Sequence, residues 1–165
     1  MRAGRVTPGG RLAAALTLAI VVTVTGCDRG AGGPLSKGEF IRKASSICQK
    51  ANAQALAIRP PSLADPAAVE QAIGQIVIIQ RDALDKLTDL NPPTQDEPGV
   101  EDWLHLVDKS LDRMERVRDA VRDGDQGALQ DANAEALSFS DEAEQFATAY
   151  GITDCTTRSS EEERR

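Results

Sequence analysis

The sequence predicts an all-α protein: an antiparallel four-helix bundle with a disulfide joining helix 1 to the segment after helix 4. Three observations carry this. Apolar residues recur with a 3.6-residue period in four stretches between residues 36 and 150. The stretches are separated by Pro- or Gly-containing breaks at Pro60-Pro61, Pro92-Pro93 and Gly124. Two cysteines, Cys48 and Cys155, stand near the two ends of the helical region. A chain of 165 residues holds one domain with tails, not two full cores.

Helix 1 opens on Leu35-Ser36-Lys37-Gly38-Glu39-Phe40. Ser36 and Glu39 have the spacing of a capping box, and Leu35 and Phe40 that of a hydrophobic staple. The stripe runs through Phe40, Ala44, Ile47, Ala51, Ala55 and Ile58, with Ile41 and Cys48 beside it, and Pro60-Pro61 ends it. Helix 2 starts at Asp65-Pro66, an N-cap followed by proline at the first helical position. Its stripe is Val69, Ala72, Ile73, Ile76, Ile79, Ala83, Leu87 and Leu90. Ile76 to Ile79 alone would suit a buried strand, but the longer period favours helix. Gly74 weakens this helix by about 1 kcal/mol relative to Ala.

Helix 3 starts between Thr94 and Pro98. Its stripe is Val100, Trp103, Leu104, Val107, Leu111, Met114 and Val121, and Gly124 suits its C-terminus. Asp125 then caps helix 4, with the stripe Leu129, Ala132, Ala136, Phe139, Ala143, Phe146 and Tyr150. Gly151-Ile152 has the Schellman pattern of glycine followed by an apolar residue. Helices this long with short connections favour the antiparallel bundle. The Ala-rich stripes of helices 1 and 4 predict a close approach of those two helices. Residues 156–165 read as a disordered tail.

The first 26 residues are read as an address rather than as part of the fold. Arg2, Arg5 and Arg11 precede an apolar run from Leu12 to Val24, as in a secretory signal. That run is shorter than the about 20 residues a spanning helix needs. Val24-Thr25-Gly26-Cys27 resembles the lipobox of bacterial lipoproteins. The resemblance implies cleavage before Cys27, a diacylglycerol (palmitate-type) group on its thiol, and anchoring at the outer face of the cell membrane. Paired acyl chains give stable attachment where one is marginal. Removing residues 1–26 takes away three Arg and no acid, so 16 basic and 26 acidic residues remain, a net charge of −10. Attachment then comes from lipid, not from a basic patch. The Gly-rich stretch within residues 27–35 serves as a flexible spacer, and residues 36–155 form the helical domain.

With Cys27 lipidated, Cys48 and Cys155 remain, and in an exported chain they form the one possible intramolecular bridge. Two free buried thiols are the alternative. Glu39 to Cys48, together with Ala149-Tyr150-Gly151-Ile152 and Cys155, resembles small exported helical proteins of actinobacteria, mostly uncharacterised lipoproteins. The resemblance covers about residues 36–155 and implies a secreted helical domain with paired cysteines and no assigned activity.

Composition narrows function further. The net charge of −7 for the whole chain disfavours nucleic acid as a partner. Five aromatic residues (three Phe, one Trp, one Tyr) are too few for a stacking platform. His105, the single His, falls on the solvent face of helix 3 beside Asp102, so a solvated pair is expected rather than a metal site. Asp123-Gly124-Asp125 does not continue as a calcium loop, because Ala128 and Ala134 stand at the sixth and twelfth positions. Met114 is expected in the core. Glu142 and Glu144 are read as polar-face residues. Arg113, Arg116 and Arg122, alternating with Asp112, Glu115, Asp119 and Asp123, are read as a solvated mixed-charge face. No phosphate loop, nucleophile elbow or zinc-helix motif occurs. The expectation is therefore a non-enzymatic envelope lipoprotein without a cofactor, in an interaction or scaffold role with a partner that carries positive charge. The alternative is a helical bundle binding a small apolar or cationic ligand.

Overall fold

The computed structural model describes residues 33–58, 62 and 64–156. Over these the chain forms α1 (Lys37–Ala57), α2 (Pro66–Thr88), α3 (Glu97–Asp123) and α4 (Gln126–Tyr150), then a single 3-10 turn, Thr153–Cys155. No strand occurs among the described residues. Among them, no helix is long and apolar enough to cross a membrane. The signal segment, Cys27, Pro60-Pro61 and residues 157–165 lie outside the described residues.

The ends of the helices follow from the capping chemistry. Ser36 accepts from the Glu39 amide, and the Glu39 carboxylate accepts from the Ser36 amide at 3.1 Å, which closes the capping box. The Ser36 hydroxyl, donating to the same carboxylate at 2.6 Å, and then the Ser36 amide hold the Glu39 carboxyl below its ordinary range. Leu35 packs on the same core as Phe40, completing the staple, and its amide donates to Asn91 O at 2.8 Å. Asp65 and Asp125 each accept from the backbone amide three residues on. Gly124 and Gly151 take the left-handed φ values of 69° and 101° that an L side chain resists. The amides of Asp125 and Ile152 reach back five residues to Ala120 O and Ala147 O, the outer hydrogen bond of a Schellman turn. Asp125 thus closes one helix and opens the next.

Packing is uneven along the bundle. Trp103, Phe40, Ile152 and Val100 are the largest fully buried side chains. They gather with Ala44, Leu87 and Ala147 at the end where α1 begins and α4 stops. There the rings of Trp103 and Phe146 stack at 5.9 Å, those of Phe146 and Tyr150 stack at 5.3 Å, and Phe40 meets Tyr150 edge-on at 5.9 Å. Phe146 and Tyr150 are one turn apart on α4, so a single helix face supplies two members of this column. The Tyr150 hydroxyl donates to Asp96 at 2.7 Å. Asp96 opens α3 but spends its carboxylate on this bond and makes no side-chain cap.

The expected close approach of α1 and α4 does not occur. Backbones approach most extensively between α3 and α4 and then between α2 and α3, while the 3-10 turn packs against α1. After Gly151 the chain doubles back along α1. Ile152 is buried, and Cys155 bonds to Cys48 with a Cα–Cα distance of 5.0 Å. Gln49 and Asn52 add side-chain amide bonds to Asp154, at 3.0 Å to its carboxylate and 2.9 Å to its carbonyl. Thr156, placed in the tail by the sequence reading, is buried and donates to Thr153 O at 2.8 Å. A returning strap therefore occupies part of the space that small residues would otherwise have closed.

The charged face of α3 is also more specific than i,i+4 solvation. Arg81 of α2 reaches across to Asp108, Asp112 and Glu115 together. Arg113 crosses to Glu135 of α4. Only the Arg122–Asp119 pair keeps the predicted i,i+3 form.

Candidate functional site

Halfway along the bundle, beside the strap, a cleft of about 300 Å³ opens. Each long helix gives it one face at helical spacing: Ile76, Val77 and Gln80 from α2; Val107, Ser110, Leu111 and Met114 from α3; Asn133, Ala136, Leu137, Ser140, Ala143 and Glu144 from α4. Asn52 of α1 and the strap residues Cys155 and Thr156 complete the described wall. The intervals of three and four residues are those of an amphipathic stripe. Among the described residues, α1 reaches this stretch of the core stripe only through Asn52.

Its walls are aliphatic, with polar groups spaced around them. Val77, Leu111, Ala136 and Ala143 are buried, whereas Leu137 is 57% exposed at the mouth. An exposed Leu at the lip of an apolar concavity loses water when a ligand sits down, which favours binding. The Ser110 hydroxyl donates to Ala136 O at 3.2 Å and ties α3 to α4 inside the wall. Asn52 is held by its bond to Asp154. Such fixed polar groups on an apolar surface orient a ligand at little entropic cost.

Two expectations change here. Met114 is not part of the closed core but a half-buried wall of the cleft. Its unbranched thioether side chain adapts to varied shapes. Glu144 is not a plain polar-face residue, because it lines the cleft and is half-buried. It is the one ionisable side chain among the described lining residues, Cys155 being in the disulfide.

His105 is exposed on α3, on the solvent face where its helical position puts it. Among the described residues no group of three or more His, Cys, Asp or Glu is placed to hold a metal ion. Cys48 and Cys155 are brought together as the disulfide, and Cys27 lies outside the described residues. Sequence reasoning missed the cleft. Its one local signal is a run of small residues (Ala132, Ala136, Ser140, Ala143) on the inner face of α4, which leaves volume unless a neighbour closes in. No protein-family model, curated protein or solved structure matches this chain.

Proposed function

We propose that this protein is a membrane-anchored, extracytoplasmic lipoprotein whose helical domain binds a small, largely apolar molecule in the cleft between α2, α3 and α4. The observation that carries the binding reading is the cleft itself. It has a volume within the range of small-molecule sites, and its apolar walls are interrupted by a few convergent polar groups. The sequence Val24-Thr25-Gly26-Cys27, with its preceding basic and apolar segments, supports the anchor. In this reading the domain is non-enzymatic, and the lipid keeps a binding module at the membrane surface, where apolar molecules concentrate. An interaction role with a positively charged envelope partner is the second reading, supported by the acid excess of the chain.

Native mass spectrometry of the full-length protein, purified from the membrane fraction of its host, tests both parts. The expected result is a covalent acyl mass on the peptide beginning at Cys27 and a second, non-covalent mass lost on collisional heating. A bare, unacylated polypeptide recovered from the soluble fraction would remove the anchor. An acylated chain that releases nothing would favour the interaction role over ligand binding.

A further inference from the structure

The lining residues also define a ligand class. We propose that the cleft takes an uncharged, single-chain amphiphile, with its alkyl chain along the slot and its polar group at the level of Gln80 and Ser140. This rests on the reading of the cleft as a ligand site.

Shape argues for a chain rather than a ring system. On α4 the lining runs from Asn133 to Glu144, about 16 Å at the rise of an α-helix. A volume of about 300 Å³ spread over that length is a narrow slot, with room for on the order of ten heavy atoms. No aromatic ring occurs among the described lining residues. The column of Trp103, Phe146 and Tyr150 belongs to the closed end, and Phe139 lies under Lys109 and Arg113. Flat ligands gain from ring stacking that this wall lacks, whereas an alkyl chain needs only apolar area. Met114 adds tolerance for chain length.

Charge argues for a neutral molecule. The described lining carries no Lys, Arg or His. Its one carboxylate, Glu144, already has a partner within the protein. An ionic ligand would give up its hydration without a free counter-charge to meet it, which is costly. The uncharged polar groups are better placed. Among the described residues the side chains of Gln80 and Ser140 make no hydrogen bond, although both are half-buried in the wall. Arg81, next to Gln80, crosses to Asp108 and Asp112, and Ser110 donates to Ala136 O, one turn before Ser140. Gln80, Ser110 and Ser140 therefore stand near one level of the bundle, one from each long helix of the cleft. A side-chain amide and a hydroxyl supply both donors and acceptors there, which suits a ligand hydroxyl or carbonyl. Aliphatic wall continues to either side, with Val107 and Ala143 towards the closed end and Ile76 and Met114 away from it.

Five ten-carbon probes titrated against the full chain test this, with NMR shifts to locate binding. They are 1-decanol, 1-adamantanol, 1-naphthol, decylammonium and decanoate, each below its solubility or micelle-forming limit. Decanol is expected to bind tightest, about tenfold better than either ion and about fivefold better than the cage or the flat ring. Amide shifts should map to Leu111, Met114 and Ala136. Ser140→Ala and Gln80→Leu should each weaken decanol about fivefold, with urea midpoints close to that of the parent. An ion of either sign binding as tightly as decanol overturns the neutral assignment. The cage or the flat ring doing so overturns the chain, and unchanged decanol affinity in both variants overturns the placing of the polar group. Each of these three results leaves the cleft as a ligand site. Shifts outside the cleft for every probe, or no binding at all, remove the ligand reading together with this one.

Discussion

The two halves of the bundle are built from different material. Where α1 begins and α4 stops, rings from α3 and α4 stack into a column that Phe40 of α1 meets edge-on, and Trp103 is only 1% exposed. Halfway down, the same helices present Ala, Val, Ser and Met to a cleft. Both regions continue the same apolar stripes, so hydrophobic patterning does not distinguish them. Side-chain volume does. Large rings fill the space between helices at the first level, and small residues leave it open at the second. The strap from Gly151 to Thr156 sits at the boundary, packed on the closed end and contributing Cys155 and Thr156 to the cleft.

Substitution at the two levels should expose this contrast. Trp103→Ala is expected to cost about 3–5 kcal/mol, because a fully buried ring leaves a cavity its neighbours cannot refill. Met114→Ala, on a wall already open, should cost less than about 2 kcal/mol. Urea midpoints of the two variants measure the difference, and similar losses would break the distinction. Next in size is the strap. Replacing both Cys48 and Cys155 by Ala should cost about 2–4 kcal/mol. Native-state hydrogen exchange should then speed up first at the 3-10 turn and α1, while the α3–α4 hairpin stays protected. Uniform loss of protection would mean that the strap is not a separate unit.

The smallest expected effect sharpens the closed end. Tyr150→Phe should lose about 1 kcal/mol near neutral pH with the bond to Asp96. Burial first, and then that bond, push the phenol above its ordinary value of 10.0. The folded form therefore keeps its proton where the unfolded chain releases it. The contribution is whole below about pH 10 and fades as pH rises through the folded value. Thermal unfolding of both proteins from pH 8 upward checks the sign. The parent should lose its advantage over the variant above about pH 10, and a constant gap would overturn the coupling.

What could be read from the sequence was local. Ser36, Asp65, Asp125, Gly124 and Gly151 act within a few residues of themselves, so their roles follow from spacing alone. The disulfide followed from there being two cysteines once Cys27 was set aside. Contacts between distant residues stayed hidden. Asp96 serves Tyr150 rather than its own helix, and Arg81 gathers three carboxylates from α3, because each choice depends on how helices are rotated against one another. The cleft is of the same kind. Ala136 and Ser140 would suit a tight seam equally well, and in the folded chain it is the segment after Gly151, more than α4 itself, that packs against α1.

The covalent bond between Cys48 and Cys155, 107 residues apart, has a consequence for damage. It makes most of the domain a closed ring, so a protease that cuts one connection between helices yields no smaller piece. The nicked chain stays one molecule of unchanged mass apart from a water, and its fragments separate only when a thiol reagent is added. A protein with this arrangement can be clipped and still remain whole.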